Sequence, residues 1–269
     1  MNTAAMKPSS VHTSLRLGSV SFLNAKPLIY GLEEEPRISL SLAVPSMLAE
    51  MLDRGAVDVA LLPVIDYQRL RDLRLIRAGG IACNGPTLTV RIFSKVPLDQ
   101  IDTLACDPDS HTSVALAAVL MAERWGRRPK HVALRDPNLS PDTARLLIGD
   151  KVITEEPQGF DYQLDLGEAW KDLTGLPFVF AAWMARPGAE LGEWPARLER
   201  AKHQGLANID AILARHAAPL GWPVDIARRY LTEYLRFNIG DREIAAIELF
   251  HQLAAKHGLI ASPAQSLRY

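Results

Sequence analysis

The sequence predicts an α/β protein folded as a two-lobed clamshell with a ligand cleft between the lobes. Three observations carry this. From residue 15 onward, strand-like and helix-like stretches alternate, as in a domain built on a parallel sheet. Two long apolar strands, around 87–94 (TLTVRIFS) and 178–184, bracket a smaller α/β unit, as two crossings of a hinge would. Residues 189–257 then read as almost wholly helical. Lobe one is expected to hold residues 1–92 plus 187–269, and lobe two residues 93–186, with the cleft at the strand-end loops of both.

The first strand draws on Leu15, Leu17 and Val20. Ser21-Phe22-Leu23-Asn24-Ala25-Lys26-Pro27-Leu28 follows as a polar turn and a helix, with Asn24 just before the helix and Pro27 in its first turn. Residues 37–44 alternate as a strand. Pro45-Ser46 opens a helix that Gly55 ends, and 58–62 (DVALL) is apolar throughout, as a buried parallel strand should be. Pro63 stops that strand before a short helix over 64–70. Residues 73–83 read as strand and Asn84-Gly85-Pro86 as a turn.

In the second unit, 103–106 is a short strand and 107–113 a polar loop at the mouth of a helix over 114–125. Strands near 131–134 and over 144–148 follow, and Gly149-Asp150 makes the exit turn. The later helices are expected over 190–204, 208–216, 224–235 and 241–257, with Asn208 and Asp241 as N-caps and Gly258 as the last stop. Trp170, Phe178 and Trp183 are spaced for core packing. His203, His251 and His257 fall on these or neighbouring helices as surface residues.

Composition narrows the function. The 269 residues are 48% apolar and 23% charged with a net charge of −1, a globular composition with no electrostatic footprint for nucleic acid or an anionic membrane. The two cysteines, Cys83 and Cys106, form no CxxC pair, and the seven histidines show no HExxH, so no metal is expected. Gly79-Gly80 is not part of a GxGxxG loop, and no Walker-type loop exists. Residues 1–14 are small and polar, expected to fray, and lack the apolar core of a secretory signal. With no run of about 18 apolar residues, a cytoplasmic protein is expected.

Three polar loops end predicted strands and are the candidate site. One carries Ser21 and Asn24, the second Cys83, Asn84 and Gly85, the third Ser110, His111, Thr112 and Ser113. Asn24 fits an N-cap or Asx turn as well as a site amide. A hydroxyl-rich helix start offers free N–H groups and a partial positive charge to a carboxylate or phosphate. N-capping accounts for one of its hydroxyls but not three. Cys83 fits a small buried hydrophobe or a site wall, and no basic neighbour activates it as a nucleophile. His111 fits a solvated histidine, an anion ligand or a base. Asp150 fits a turn residue or a ligand contact.

The run Ser21–Leu28 with Gly31-Leu32 resembles the opening motif of the chorismate dehydratases of the futalosine route to menaquinone. Ile81-Ala82-Cys83-Asn84-Gly85-Pro86, Ser110–Ser113, Leu147–Asp150, Asp165–Trp170 and Thr174–Val179 continue the resemblance in order. The family more often has serine at Cys83 and another polar or basic residue at His111. The resemblance implies a fold like type 2 periplasmic binding proteins. It also implies a cofactor-free lyase that converts chorismate to 3-[(1-carboxyvinyl)oxy]benzoate and water, with Asn24 catalytic. Ser21, Cys83, Asn84, Ser110, His111, Thr112, Ser113 and Asp150 are the expected substrate contacts. The rival expectations are a small-anion-binding protein or a sister enzyme of the same route; neither a leader nor an anchoring cysteine near the start supports the former.

Overall fold

The computed structural model describes residues 14–107, 110–155 and 157–269. The expected fraying of residues 1–14 therefore lies outside the described residues except for Ser14, as do Pro108 and Asp109 of the polar loop.

The chain builds two sheets. Its strands are β1 (Leu15–Ser19), β2 (Ile38–Leu42), β3 (Val59–Pro63), β4 (Arg74–Cys83), β5 (Val90–Ser94), β6 (Thr103–Cys106), β7 (Lys130–Ala133), β8 (Ala144–Ile148), β9 (Tyr162–Asp165), β10 (Phe178–Ala185) and β11 (Leu235–Arg236). The larger sheet runs β11-β4-β10-β3-β1-β2 and the smaller β7-β6-β8-β5-β9. β1 pairs in parallel with β2 and β3, while β10 returns antiparallel between β3 and β4. All five residues of β3 are buried, which matches its unbroken apolar run. Edge strand β2 is half-buried to exposed throughout, with no fully buried residue.

The lobe boundaries differ from the expected ones. β5 starts at Val90 and already belongs to the smaller sheet, and β10 belongs to the larger one, so the chain crosses between Cys83 and Val90 and returns between Asp165 and Phe178. The expected strand over 87–94 begins late because Leu88 takes a left-handed backbone, φ 67°. Antiparallel pairing of β10 accounts for the other shift: its ladders to β3 and β4 place it inside the larger sheet.

The helices are α1 (Pro45–Asp53), α2 (His111–Trp125), α3 (Lys151–Thr154), α4 (Leu166–Thr174), α5 (Trp194–Ala207), α6 (Ile209–His216), α7 (Val224–Arg229) and α8 (Asp241–Lys256). The opening motif is not a regular helix with Asn24 before it. Leu23–Ile29 is a 3-10 segment with Phe22 at its cap position, so Asn24 lies inside it. α5 lies directly on this segment: a Cβ on Gly205 would strike the Pro27 carbonyl oxygen. The run expected as one helix over 224–235 divides into α7, a π-helical turn at Tyr230–Tyr234, and β11. Asn208 caps α6 by position, but its side chain donates to the Gln204 carbonyl instead. Gly240, not Asp241, caps α8, with its N–H on Glu243 Oε2 at 3.0 Å.

Trp170, Phe178 and Trp183 are buried, and Trp170 and Phe178 meet edge to face with ring centres 5.2 Å apart. His251, expected at the surface, is 2% exposed, because the face of α8 that carries it covers the turn Val64–Gln68. His257 is half-buried against Glu123 at 2.6 Å, and His203 stays exposed. Burial pushes the His251 imidazole down to about 4, although its bond to Val64 opposes the shift. Below about pH 6.5 the unfolded chain therefore binds a proton that the native chain refuses down to about pH 4. Stability should fall as pH drops through that window, by about 3 kcal/mol at its lower end, and should not change above it on this account. Urea unfolding of the protein and of His251→Gln at about pH 7 and about pH 4.5 should show a shallower pH dependence in the variant.

Candidate active site

A cleft with about 680 Å³ of empty space lies between the sheets. Both lobes wall it: Val20, Phe22, Asn24, Leu61, Pro63, Ile81, Phe180 and Tyr230 from one side, Thr89, Val90, Ile148, Gly149 and the residues Ser110–Ser113 from the other. The walls are mostly apolar, with a few convergent polar groups, the usual character of a small-molecule site. No lysine or arginine lines it among the described residues.

Asn24 reaches the cleft from the 3-10 segment. Its Nδ2 donates to Tyr230 Oη at 3.3 Å, and Tyr230 Oη lies 2.8 Å from Thr89 Oγ1. Asn24 Oδ1 is enclosed with no partner, and among the described residues it is the only such side-chain atom on a cleft-wall residue. Turning the amide over would pair Oδ1 with the phenol and orphan Nδ2, so one polar end stays unpaired in either orientation. Tyr230 is held in place by stacking on Trp222, ring centres 4.9 Å apart, and burial pushes its phenol well above the usual range. It is therefore a neutral donor and acceptor between two lobes.

Across the cleft, α2 opens at Ser110 with no side-chain cap bond and no acidic residue in its first turn. Its first backbone N–H groups thus have no partner within the helix. Thr112 Oγ1 is already used: it accepts the Ile65 N–H at 3.3 Å, tying α2 to lobe one. His111 is tied there too. Its Nδ1 lies 2.9 Å from both oxygens of Asp66, which is almost fully buried and also accepts from Arg69 at 3.1 Å. Facing a carboxylate, Nδ1 carries the proton, so in the neutral imidazole the lone pair is on Nε2. Ser110 and Ser113 line the cleft and make no side-chain hydrogen bond among the described residues.

The crossing between lobes is held by Asp165. Its carboxylate accepts the N–H groups of Thr87 (3.0 Å), Leu88 (2.8 Å), Gly167 (2.9 Å) and Glu168 (3.2 Å). Burial pushes this carboxyl up, and the four backbone donors pull it back.

The expected contacts thus divide. Asn24, Ser110, His111, Thr112 and Ser113 meet at the cleft. Cys83 does not: it is fully buried, and a Cβ on Gly167 would stand 2.5 Å from its sulfur. The turn after β4 sends its side chain into the core rather than the cleft. Asn84 is exposed and lines a separate surface depression with Arg236 and Arg242. Ser21 is exposed and outside the cleft wall. Asp150 stands behind the wall, accepting from Trp222 Nε1 at 2.7 Å, its carboxyl pushed up by burial. Thr89, Tyr230 and Asp66 were missed. Thr89 sits in the run 87–94 expected as strand, and nothing in that run singles it out. Nothing local marked Tyr230 or Asp66, because each acts 45 or more residues from its partner.

The fold is two-lobed and like that of the periplasmic binding proteins. Protein AF1704 from Archaeoglobus fulgidus shares this fold with a TM-score of 0.73 at 18% identity, over 94% of this chain and all of that one. So does the periplasmic aliphatic sulphonate binding protein SsuA from Escherichia coli, TM-score 0.62 at 16% identity, over 95% and 93%. The chain belongs to the menaquinone biosynthesis family, whose model matches residues 15–256. It is similar to the chorismate dehydratase of Thermus thermophilus, 28% identical over 260 residues, covering 87% of this chain and 93% of that protein. The expected cytoplasmic location does not hold against the fold, which is shared with periplasmic binding proteins. No described helix is long and apolar enough to cross a membrane.

Burial pushes both thiols, Cys83 and Cys106, up to about 12. Native protein should therefore resist iodoacetamide at both cysteines and react at both after unfolding, read by mass spectrometry. Cys83→Ser should leave ligand affinity at the cleft within about twofold.

Proposed function

We propose that the cleft binds chorismate and removes water from it to give 3-[(1-carboxyvinyl)oxy]benzoate. The observation that carries this is the unpaired amide end of Asn24, enclosed at the cleft wall opposite the open start of α2, in a chain of the menaquinone biosynthesis family.

Chorismate is a dicarboxylate with a ring hydroxyl and an enolpyruvyl ether. Breaking a ring C–H bond sends its electron pair toward the ring carboxylate, and departure of the neighbouring hydroxyl completes an aromatic ring. The proton and the hydroxide leave together as water, and no electron acceptor is needed. The start of α2, with Ser110 and Ser113, receives the ring carboxylate, where preorganised dipoles stabilise the growing charge. The chain Asn24 Nδ2–H to Tyr230 Oη, Tyr230 O–H to Thr89 Oγ1 leaves the Thr89 hydroxyl proton for the departing oxygen. The unpaired end of Asn24 orients the ring hydroxyl. Two proton acceptors fit, His111 Nε2 and the enolpyruvyl carboxylate of the substrate.

A second reading is supported by the fold comparison. An anion-binding protein, or a sister enzyme acting on another anionic intermediate, would use the same helix start, and the family description names a pathway rather than a reaction. Incubation with chorismate separates these: aromatic product supports the dehydratase, and binding without product supports the alternative. Asn24→Ala should lower kcat/KM about 100-fold or more, and wild-type turnover in a folded Asn24→Ala protein removes Asn24 from the mechanism. Ser113→Ala should raise KM. Retained kcat in His111→Gln would assign proton removal to the substrate carboxylate.

A further inference from the structure

All five residues of the 3-10 turn Val64–Gln68 are bonded outward, toward two different places. On its forward face, the Ile65 N–H and the Asp66 carboxylate hold Thr112 and His111 at the start of α2. Its rear face is held by α8 and by the carboxyl-terminal segment. His251 Nε2–H donates to the Val64 carbonyl at 2.9 Å, which leaves Nδ1 to accept from Gln68 Nε2 at 2.9 Å. Gln68 then clamps the backbone of Gln265 at both ends: Oε1 accepts its N–H at 2.7 Å and Nε2 donates to its carbonyl at 2.9 Å. Gln265 returns a bond from Nε2 to the Gln68 carbonyl at 3.2 Å. Tyr67 Oη donates to the Ser266 carbonyl at 3.1 Å and accepts the Arg268 N–H at 2.8 Å. The Arg268 carbonyl accepts the Leu75 N–H at 2.7 Å, so the tail is itself tied to the start of β4.

A 3-10 turn this short has little stability of its own, so its outward bonds decide where it sits. Asp66 is one residue from Tyr67 and two from Gln68, both gripped by the tail. The geometry points to Gln68 as a positioning residue for His111, acting through the turn that carries Asp66 and anchored by residues 265–268. The inference deepens the proposed site and rests on His111 serving the cleft. Gln68 touches no cleft atom, so its effect must pass through the orientation and tautomer of the imidazole. The charged and titratable groups facing that imidazole are Asp66 from the turn and Arg69 just after it, Cys106 and His131 across the depression behind it, and Tyr230 across the cleft.

The test reads the imidazole directly. In ligand-free protein, nitrogen NMR of His111 should show a single Nδ1–H tautomer, and Asp66→Asn calibrates its loss. Gln68→Leu should give a mixture of tautomers, with kcat for chorismate down about tenfold and KM within about twofold. Tyr67→Phe, which deletes only two tail contacts, should act in the same direction to a smaller extent, and decides the matter if Gln68→Leu does not fold. The inference is overturned if the folded variants lose thermal stability but keep the wild-type His111 signal; the tail would then be a structural strap alone. Since the tautomer is read without substrate, a chain that fails to turn over chorismate would defeat the proposed function while leaving this coupling measurable.

Discussion

Asp165 gathers the N–H groups of Thr87, Leu88, Gly167 and Glu168 onto one carboxylate, and the cleft takes its position from that clamp. The bonds to Gly167 and Glu168 start α4, and those to Thr87 and Leu88 hold the segment by which the chain enters the second lobe. Leu88 has a left-handed backbone, which costs a non-glycine residue about 1–3 kcal/mol and persists only when its surroundings insist on it. Here the surroundings are charge-assisted bonds in a buried site. The result is that Thr87, Thr89 and Val90 turn toward the cleft at the root of lobe two. Gly167 is required at the same place, because a side chain there would strike Cys83 and the Gly85 carbonyl.

A second carboxylate, Asp66, does the equivalent work at the far wall. It joins lobe one to the start of α2 through His111, and its neighbour Ile65 adds the bond to Thr112. Between these anchors the cleft offers a charged ligand mainly neutral groups: hydroxyls, an amide, a phenol and backbone N–H groups. Such dipoles need little reorganisation when charge moves, and in a largely apolar cavity each counts for more than it would in water. For the dicarboxylate proposed above, a cation on the wall would favour the ground state, whereas oriented dipoles would favour a state in which charge has spread.

Much of the architecture was legible in local pattern. The apolar run of β3 and the Ala- and Leu-rich stretch of α2 each specify their element by periodicity and burial alone. The hydroxyl-rich start of α2 was legible as a cleft wall for the same reason, since chain direction puts a helix start at a strand end. The failures share a cause. Cys83 and Asn84 stand side by side where β4 ends, but they point opposite ways, Cys83 into the core and Asn84 to the surface. His251 looked like a surface histidine until the turn Val64–Gln68 packed over its face of α8.

From the sequence alone follow the alternation of strands and helices, two lobes joined by two crossings, and Asn24 and the residues Ser110–Ser113 as wall residues, because these depend on neighbours within a few positions. Tertiary structure alone decided that Tyr230 bridges Asn24 to Thr89, that Asp66 holds His111, that β10 inserts into the larger sheet, and that the last residues brace the turn behind the site. Each of those joins residues at least 45 positions apart. The physical reason is that hydrogen-bond partners are chosen by burial: once water is excluded, a buried polar group must pair with whatever the packing brings near, and chain distance carries no trace of that choice.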